Sequence, residues 1–420
     1  MKLLVIGSGG REYAICQRLA RENPDFTIYC LPGNPAMKFV HRVDHIRVKD
    51  TAKILEFALS EGINFCLVTP DDPLALGLVD LLEDHGIGCF GPRQKAAKLE
   101  SSKSFAKDFM MRHGIATGDY SEFTDYEGAL AFCQQKDFPL VIKADGLALG
   151  KGVAIVQNLS EAKTVLEDFL LDHKFGKSSE KIIIEEFLRG PEISVLSLCD
   201  SKIILPLKSS MDHKAAYDGD QGPNTGGMGC IAANPYFTPA VAEDFQKNIL
   251  EPTLKGLKVD GLDFRGCLFF GLMLTDKGLK LLEYNARFGD PETQAVLPLL
   301  KNKLWPLLEM TSQAKLDQVR LDYRDLYSCC LVLAAEGYPE KPYKGGRITY
   351  PEGLEDQLIF AGVGEDQAGY YSSSGRVLNV LGLGSSLKEA VDKAYEAAEQ
   401  IKFDHSFYRK DIGRKALRGD

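Results

Sequence analysis

The sequence predicts an α/β protein that opens with a doubly wound parallel sheet, and three observations carry that expectation. Short aliphatic runs alternate with amphipathic stretches through residues 1–92, the rhythm of strands joined by crossover helices. A glycine turn, Gly7-Ser-Gly-Gly10, follows the first aliphatic run and opens a helical stretch, as strand-to-helix turns of such sheets do. At 420 residues the chain is too long for one simple core, so roughly two to four domains are expected.

Taken in order, Leu3–Ile6, Thr27–Cys30, Cys66–Val68 and Gly88–Phe90 read as strands, with helices over 11–22, 51–61 and 73–85 between them. A helix-rich bridge over about 94–113 follows Gly91-Pro92. Strands are expected near 139–144, 152–156 and 181–184, with a helix near 160–171. Further strands fall at 193–198 and 203–207, then a polar, glycine-rich loop at 212–229 and a long helix at 238–256. Strands at 266–274 and 279–285 lead to a helix after Pro291. From about 326 the pattern is strands and glycine turns, closed by a helix at 386–400.

Composition narrows the function class. Hydrophobic content of 45% and charged content of 26% are ordinary for a soluble globular enzyme. A net charge of −9 argues against nucleic acid held by overall charge. The opening apolar run is too short for a signal peptide, and no run approaches a membrane span. Ten scattered cysteines without a C-x-x-C argue against zinc or a disulfide framework, and for a reducing cytoplasm.

The most informative segment is Lys280-Leu-Leu-Glu-Tyr-Asn-Ala-Arg-Phe-Gly-Asp-Pro-Glu-Thr-Gln294. Strand alternation places Glu283, Asn285 and Arg287 on one face and Leu282, Tyr284 and Ala286 on the other. Two hard oxygen donors suit a magnesium ion held against phosphates, and the arginine suits a phosphoryl group in transfer. An amphipathic edge strand with a surface ion pair is the plainer alternative.

Other motifs carry similar pairs of readings. Gly7-Ser-Gly-Gly-Arg-Glu12 is either an anion site at a helix start or a tight turn. It lacks the last glycine of G-x-G-x-x-G, which disfavours NAD. Lys143 ends an aliphatic strand before a glycine-rich hairpin containing Lys151. A lysine among aliphatic residues is costly without an anion, which favours phosphate over a mere hairpin. Glu185, Glu186 and Glu192 surround a strand end that either takes an adenine edge and ribose hydroxyls or is a solvated acidic terminus. The loop Met211–Gly229 is too long for a simple turn. In it Asp212 could hold an ammonium and His213 with Lys214 an anion, while His213 is equally a general base or a structural hydrogen-bonding group.

Assembled in this order, the motifs resemble the glycinamide ribonucleotide synthetase family, the phosphoribosylamine–glycine ligases of the ATP-grasp superfamily. The resemblance rests on Gly7-Ser-Gly-Gly-Arg-Glu12, Pro32-Gly-Asn34, Ser102-Lys-Ser-Phe-Ala-Lys-Asp-Phe109 and Lys143–Gly152. Gly222–Gly229, Arg287–Gln294, Gly375-Arg-Val-Leu378 and Phe407–Gly413 complete it. It implies a central ATP-grasp domain of two α+β subdomains and a small C-terminal mixed β domain, with units at 1–101, 102–191, 192–325 and 326–420. It further implies that Lys103 and Lys143 meet ATP phosphates under a lid through Lys151. Glu185, the Glu186-Phe187-Leu188 backbone and Glu192 would hold adenosine, and Glu283 and Asn285 would hold Mg²⁺ or Mn²⁺. Arg287 would steady the phosphoryl group, while Asp212 and Arg287–Asp290, including Gly289, would hold glycine. Gly9, Gly10, Asn34, Asp71 and Arg376 would hold phosphoribosylamine. Arg287, Lys143 and Asp212 would be the catalytic set, in a cytoplasmic monomer or weak dimer. The chain departs from the family pattern at Tyr13, Thr69, Asp72, Ala215 and Ser374, nearly all near the inferred acceptor side.

Overall fold

The computed structural model describes residues 1–147 and 152–418. Its N-terminal sheet is parallel throughout, in the order His41–Arg42, Thr27–Pro32, Lys2–Gly7, Phe65–Val68, Gly88–Phe90. The chain leaves the central strand Lys2–Gly7 first to one side and later to the other. That reversal opens a crevice at the strand's carboxyl end, where Gly7-Ser-Gly9 sits, the usual ligand position in such sheets. The helix expected at 73–85 is two, Asp71–Ala75 and Leu78–Glu83. Gly77 between them has φ +80°, which ends the first helix in a left-handed turn.

A four-stranded antiparallel sheet follows, ordered Tyr120–Phe123, Ile182–Glu186, Leu140–Ala144, Val153–Val156. Ile142, Ala144, Ile182 and Ile184 pack against Ala129, Cys133, Ala162 and Leu166 of two covering helices. The edge strand Tyr120–Phe123 and the helix Tyr126–Cys133 have weak sequence signals, because none of the strand's four residues is fully buried.

The largest sheet runs Gly278–Asn285, Gly266–Thr275, Glu192–Cys199, Ser210–Asp212, Gly229–Ala232, Tyr327–Ala335, Arg376–Gly384, Leu358–Phe360. The last three strands are C-terminal, so that part of the chain extends the central sheet edge to edge. Helix Leu387–Glu399 lies over it. A Cβ at Gly382 would stand 2.1 Å from Ala390 O, so glycine there lets the helix approach the strand closely. The 212–229 segment is partly ordered as a ribbon, Ala215–Tyr217 against Gln221–Asn224.

One register irregularity corrects strict alternation in the late strand. Gly271 pairs with Glu283 but Leu272 pairs with Leu281, leaving Leu282 as an extra residue. The bulge resets the phase. Leu279 and Leu281 before it, and Tyr284 and Ala286 after it, all enter one apolar core. Leu282 therefore joins Glu283, Asn285 and Arg287 at the cavity instead of opposing them.

Candidate functional site

A cavity of about 780 Å³ lies where the three sheets meet. Its lysine-rich end is assembled from adjacent elements. Helix Lys103–Arg112 presents Lys103 and Lys107 one turn apart, strand Leu140–Ala144 presents Lys143, and strand Ile182–Glu186 presents Glu185. Glu185 sits between two ammonium groups, Lys107 Nζ at 3.0 Å and Lys143 Nζ at 2.8 Å. Burial opposes its ionisation, but Lys143 and Lys107 outweigh burial and hold the carboxyl below the usual range. Burial also pulls Lys103 below the ordinary lysine value, partly offset by Glu283. Asp145 fixes the start of the lysine helix by accepting from Ser104 N at 2.6 Å. Glu186, Phe187, Leu188 and Glu192 continue this wall. The Glu186 carboxylate accepts from Asp119 N at 3.0 Å, and Glu192 pairs with Lys214 at 3.0 Å.

Glu283 occupies the middle. Among the described residues its carboxylate takes no hydrogen bond or ion pair. Burial opposes its charge, but the fields of Lys214, Lys143, Lys103 and Arg287 depress its pKa. Asn285 Oδ1 accepts from Arg287 at 3.4 Å. Arg287 is held 2.9 Å from Glu100, whose other oxygen accepts from Ala286 N at 2.8 Å. Asp212 is buried, and its Oδ1 has no hydrogen-bond partner among the described residues. Burial, reinforced by nearby Glu292, pushes the Asp212 pKa well up.

The opposite end is made by long-range bonds. Gly9 N donates to Glu12 Oε2 at 2.7 Å, and Arg11 N donates to Asp290 Oδ2 at 3.2 Å. Arg376 donates to Gly226 O and Asp290 O, each at 2.7 Å, and pairs with Asp290 Oδ1 at 3.3 Å. Asp71 also lines this end.

Three residues assigned to substrate by the resemblance are not on the cavity wall. Gly10 is packed on Asn379 and Gln294, and Gly289 on Glu292 and Phe269. Asn34 is buried, with its amide donating to Ser8 O and Phe360 O, so it braces the loops behind the crevice. Lys151 lies outside the described residues. His213 is buried as well; its Nε2 accepts from Gly413 N at 3.2 Å, a structural link to the C-terminal tail.

Family models for phosphoribosylglycinamide synthetase match in three consecutive parts: the N domain over residues 1–100, the ATP-grasp (A) domain over 101–293 and the C domain over 328–415. The chain belongs to the phosphoribosylglycinamide synthetase family. A phosphoribosylamine–glycine ligase of Fusobacterium nucleatum is 43% identical, with 98% of each chain covered. Another, from Clostridium acetobutylicum, is also 43% identical over 99% of this chain and 100% of its own. The crystal structure of the Thermotoga maritima phosphoribosylamine–glycine ligase superposes with a TM-score of 0.84 at 32% identity, covering 98% of this chain and all of that one. The biotin carboxylase domain of a Hydrogenobacter thermophilus 2-oxoglutarate carboxylase, 18% identical with a TM-score of 0.77 over 97% of this chain and 91% of that one, shares the fold.

Against the synthetase pattern, none of the five departures lines the cavity. Tyr13 packs edge-on against Phe39, Asp72 pairs with Lys49 at 2.8 Å, and Ala215 is buried with its carbonyl accepting from Arg409. Ser374 N bonds to Gly362 O. Thr69 is one step removed, its hydroxyl 2.6 Å from Glu12 Oε1. Conversely, sequence reasoning passed over Glu100, Lys107, Arg11, Glu12 and Glu292 at the wall. Lys107 carried a legible signal in its helical spacing from Lys103, and Arg11 and Glu12 lay inside the glycine-turn motif without a role of their own.

Proposed function

We propose that the chain is an ATP-dependent carbon–nitrogen ligase joining glycine to 5-phosphoribosylamine, giving glycinamide ribonucleotide, ADP and phosphate in purine biosynthesis. The observation that carries it is a single cavity with three lysines at one end, an unpaired carboxylate in the middle and an Asp290–Arg376 pair at the other. Family membership supports the choice of substrates. So does the absence of all five departures from the cavity lining.

In this reading the glycine carboxylate attacks the γ-phosphate, and the amine of phosphoribosylamine then displaces phosphate from glycyl phosphate. Phosphoryl transfer needs positioning and charge neutralisation more than a covalent catalyst. Lys103 and Lys143 neutralise the phosphates. Arg287, fixed by Glu100, faces the transferring group. Asp212, buried with an unpaired oxygen, accepts the glycine ammonium. Backbone at Glu186–Leu188 and the Glu192 carboxylate receive adenosine, and Gly9, Asp71, Asp290 and Arg376 receive the sugar phosphate. A glycyl phosphate hydrolyses in water, so both steps belong in one enclosed space.

The donor set fits a hard divalent cation. No group of three or more His, Cys, Asp or Glu that could hold a metal occurs among the described residues. Glu283 and Asn285 would supply two oxygens, and phosphates and water would supply the rest, as is usual for Mg²⁺. Bound there, Mg²⁺ or Mn²⁺ would neutralise phosphate charge. The division at 1–101, 102–191, 192–325 and 326–420 belongs to the same reading, as does a cytoplasmic monomer or weak dimer. Ten buried free cysteines favour a reducing compartment.

The test is ADP release from ATP with glycine, with and without freshly generated phosphoribosylamine, followed by mass identification of the product. Release that requires both, with a glycinamide ribonucleotide mass, is the expected result. Release with another amine or amino acid only would overturn the substrate assignment, and no release from folded protein would overturn the enzymatic one.

A further inference from the structure

The lysine-rich end holds more positive charge than its one buried carboxylate balances. Lys107 is the member to which the mechanism gives no task. Its side chain is 3% exposed, on the cavity-facing side of helix Lys103–Arg112. Its ammonium lies 3.0 Å from Glu185 Oε2 and donates to Thr117 Oγ1 at 2.8 Å. Thr117 in turn donates to Leu281 O at 2.6 Å, so Lys107 is tied to the large sheet. The Tyr120 ring stands 5.8 Å from the same ammonium.

Lys143 is held differently. Its ammonium is 2.8 Å from Glu185 Oε1. Lys143 has no second tether among the described residues. Of the two lysines on Glu185, one is anchored and one can shift.

A polyphosphate entering this end attracts Lys143 away from Glu185. A buried carboxylate that loses its sole counter-ion is strongly destabilising, whereas one that keeps a second is not. We propose that Lys107 is a positioning residue: it holds Glu185 ionised and in place so that Lys143 can move onto the nucleotide phosphates. The proposal rests on the nucleotide role given to this cavity above.

Calorimetric ADP binding in the presence of Mg²⁺, on the full chain, tests it with four proteins: wild type, Lys107→Met, Glu185→Gln and the double variant. Lys107→Met should weaken ADP about 10-fold or more while the KM for glycine stays within about 2-fold. In the Glu185→Gln background the same substitution should cost less than about 3-fold, because no carboxylate is left to compensate. Lys107→Arg should bind ADP within about 3-fold of wild type, and it keeps the test open should Lys107→Met fail to fold. Equal losses in both Glu185 backgrounds, or an Arg variant as impaired as Met, would overturn the proposal while leaving the enzyme reading intact. A wild-type protein that binds no ADP would overturn both.

Discussion

Lys103, Lys107, Lys143 and Glu185 meet across one helix and two paired strands, whereas Gly9, Asp71, Asp290 and Arg376 come from four segments scattered between residues 9 and 376. At the first end, position is set by helix periodicity and strand register, and the charges contact each other directly. At the second, backbone amides and carbonyls do much of the holding: Arg11 N on Asp290, and Arg376 on Gly226 O and Asp290 O. A site built within one small sheet depends on its own side chains. A site built between sheets depends on how distant segments dock, so substitutions remote from the ligand should disturb it more.

The largest expected effect lies between the two ends. Glu283→Ala removes the carboxylate on which Lys214, Lys143, Lys103 and Arg287 converge. Turnover should fall on the order of 100-fold or more, as when a preorganised electrostatic group is deleted. The melting temperature should move little, since the carboxylate makes no hydrogen bond within the described chain. Steady-state ADP release beside thermal melts checks this, and an active variant would remove Glu283 from the site.

Arg409 offers a remote disturbance of the second end. It is 1% exposed and donates to Ala215 O at 3.1 Å and to Asp220 and Asp411 at 2.8 Å. It thereby straps the tail to the loop that carries Asp212, Lys214 and Gly226 to the cavity. Arg409→Met removes a buried guanidinium from partly exposed carboxylates, one of which keeps Lys415, and should cost about 2–3 kcal/mol in denaturant unfolding. The KM for phosphoribosylamine should rise more than ADP binding weakens. Equal losses at both ends would break the contrast.

His213 lies on the same strap and gives it a pH dependence. Burial, with Arg409 nearby, lowers its pKa from 6.5 to about 4. The unfolded chain therefore takes up the proton first. The stability associated with neutral His213 is complete above about pH 6.5 and is lost progressively as pH falls toward 4, about 3 kcal/mol in all. Melting curves across that window should be steeper in pH for wild type than for His213→Gln; parallel curves would show that His213 does not bury its neutral form.

How much of this could be read from the sequence follows the same division. Lys143, Glu185 and Glu283 were legible because strands and aliphatic runs announce their own register, and a charge ending such a run stands out. The bulge at Leu282 was not legible, since only pairing with Gly271 and Leu272 reveals the extra residue. Asn34 and Gly10 fit a substrate motif but turn into the protein, because Phe360, Asn379 and Gln294 arrive from distant segments to cover them. Glu100, which fixes Arg287 from a distant part of the sequence, carried no local signal at all.

Thr69→Gly is the smallest test and the finest. The Thr69 hydroxyl lies 2.5 Å from Ile6 O and 2.6 Å from Glu12 Oε1, behind the turn at which Glu12 accepts from Gly9 N. Thr69→Gly removes a buried hydroxyl with both of its contacts, about 1–2 kcal/mol of stability. Glu12 keeps Arg11 and Gly9 N as partners, so the turn should hold its shape and the KM for phosphoribosylamine should stay within about 3-fold. A larger change confined to that KM, with ADP binding untouched, would mean that Thr69 acts on the acceptor through Glu12. The departures from the family would then bear on substrate choice after all, through the long-range bonding that distinguishes this end.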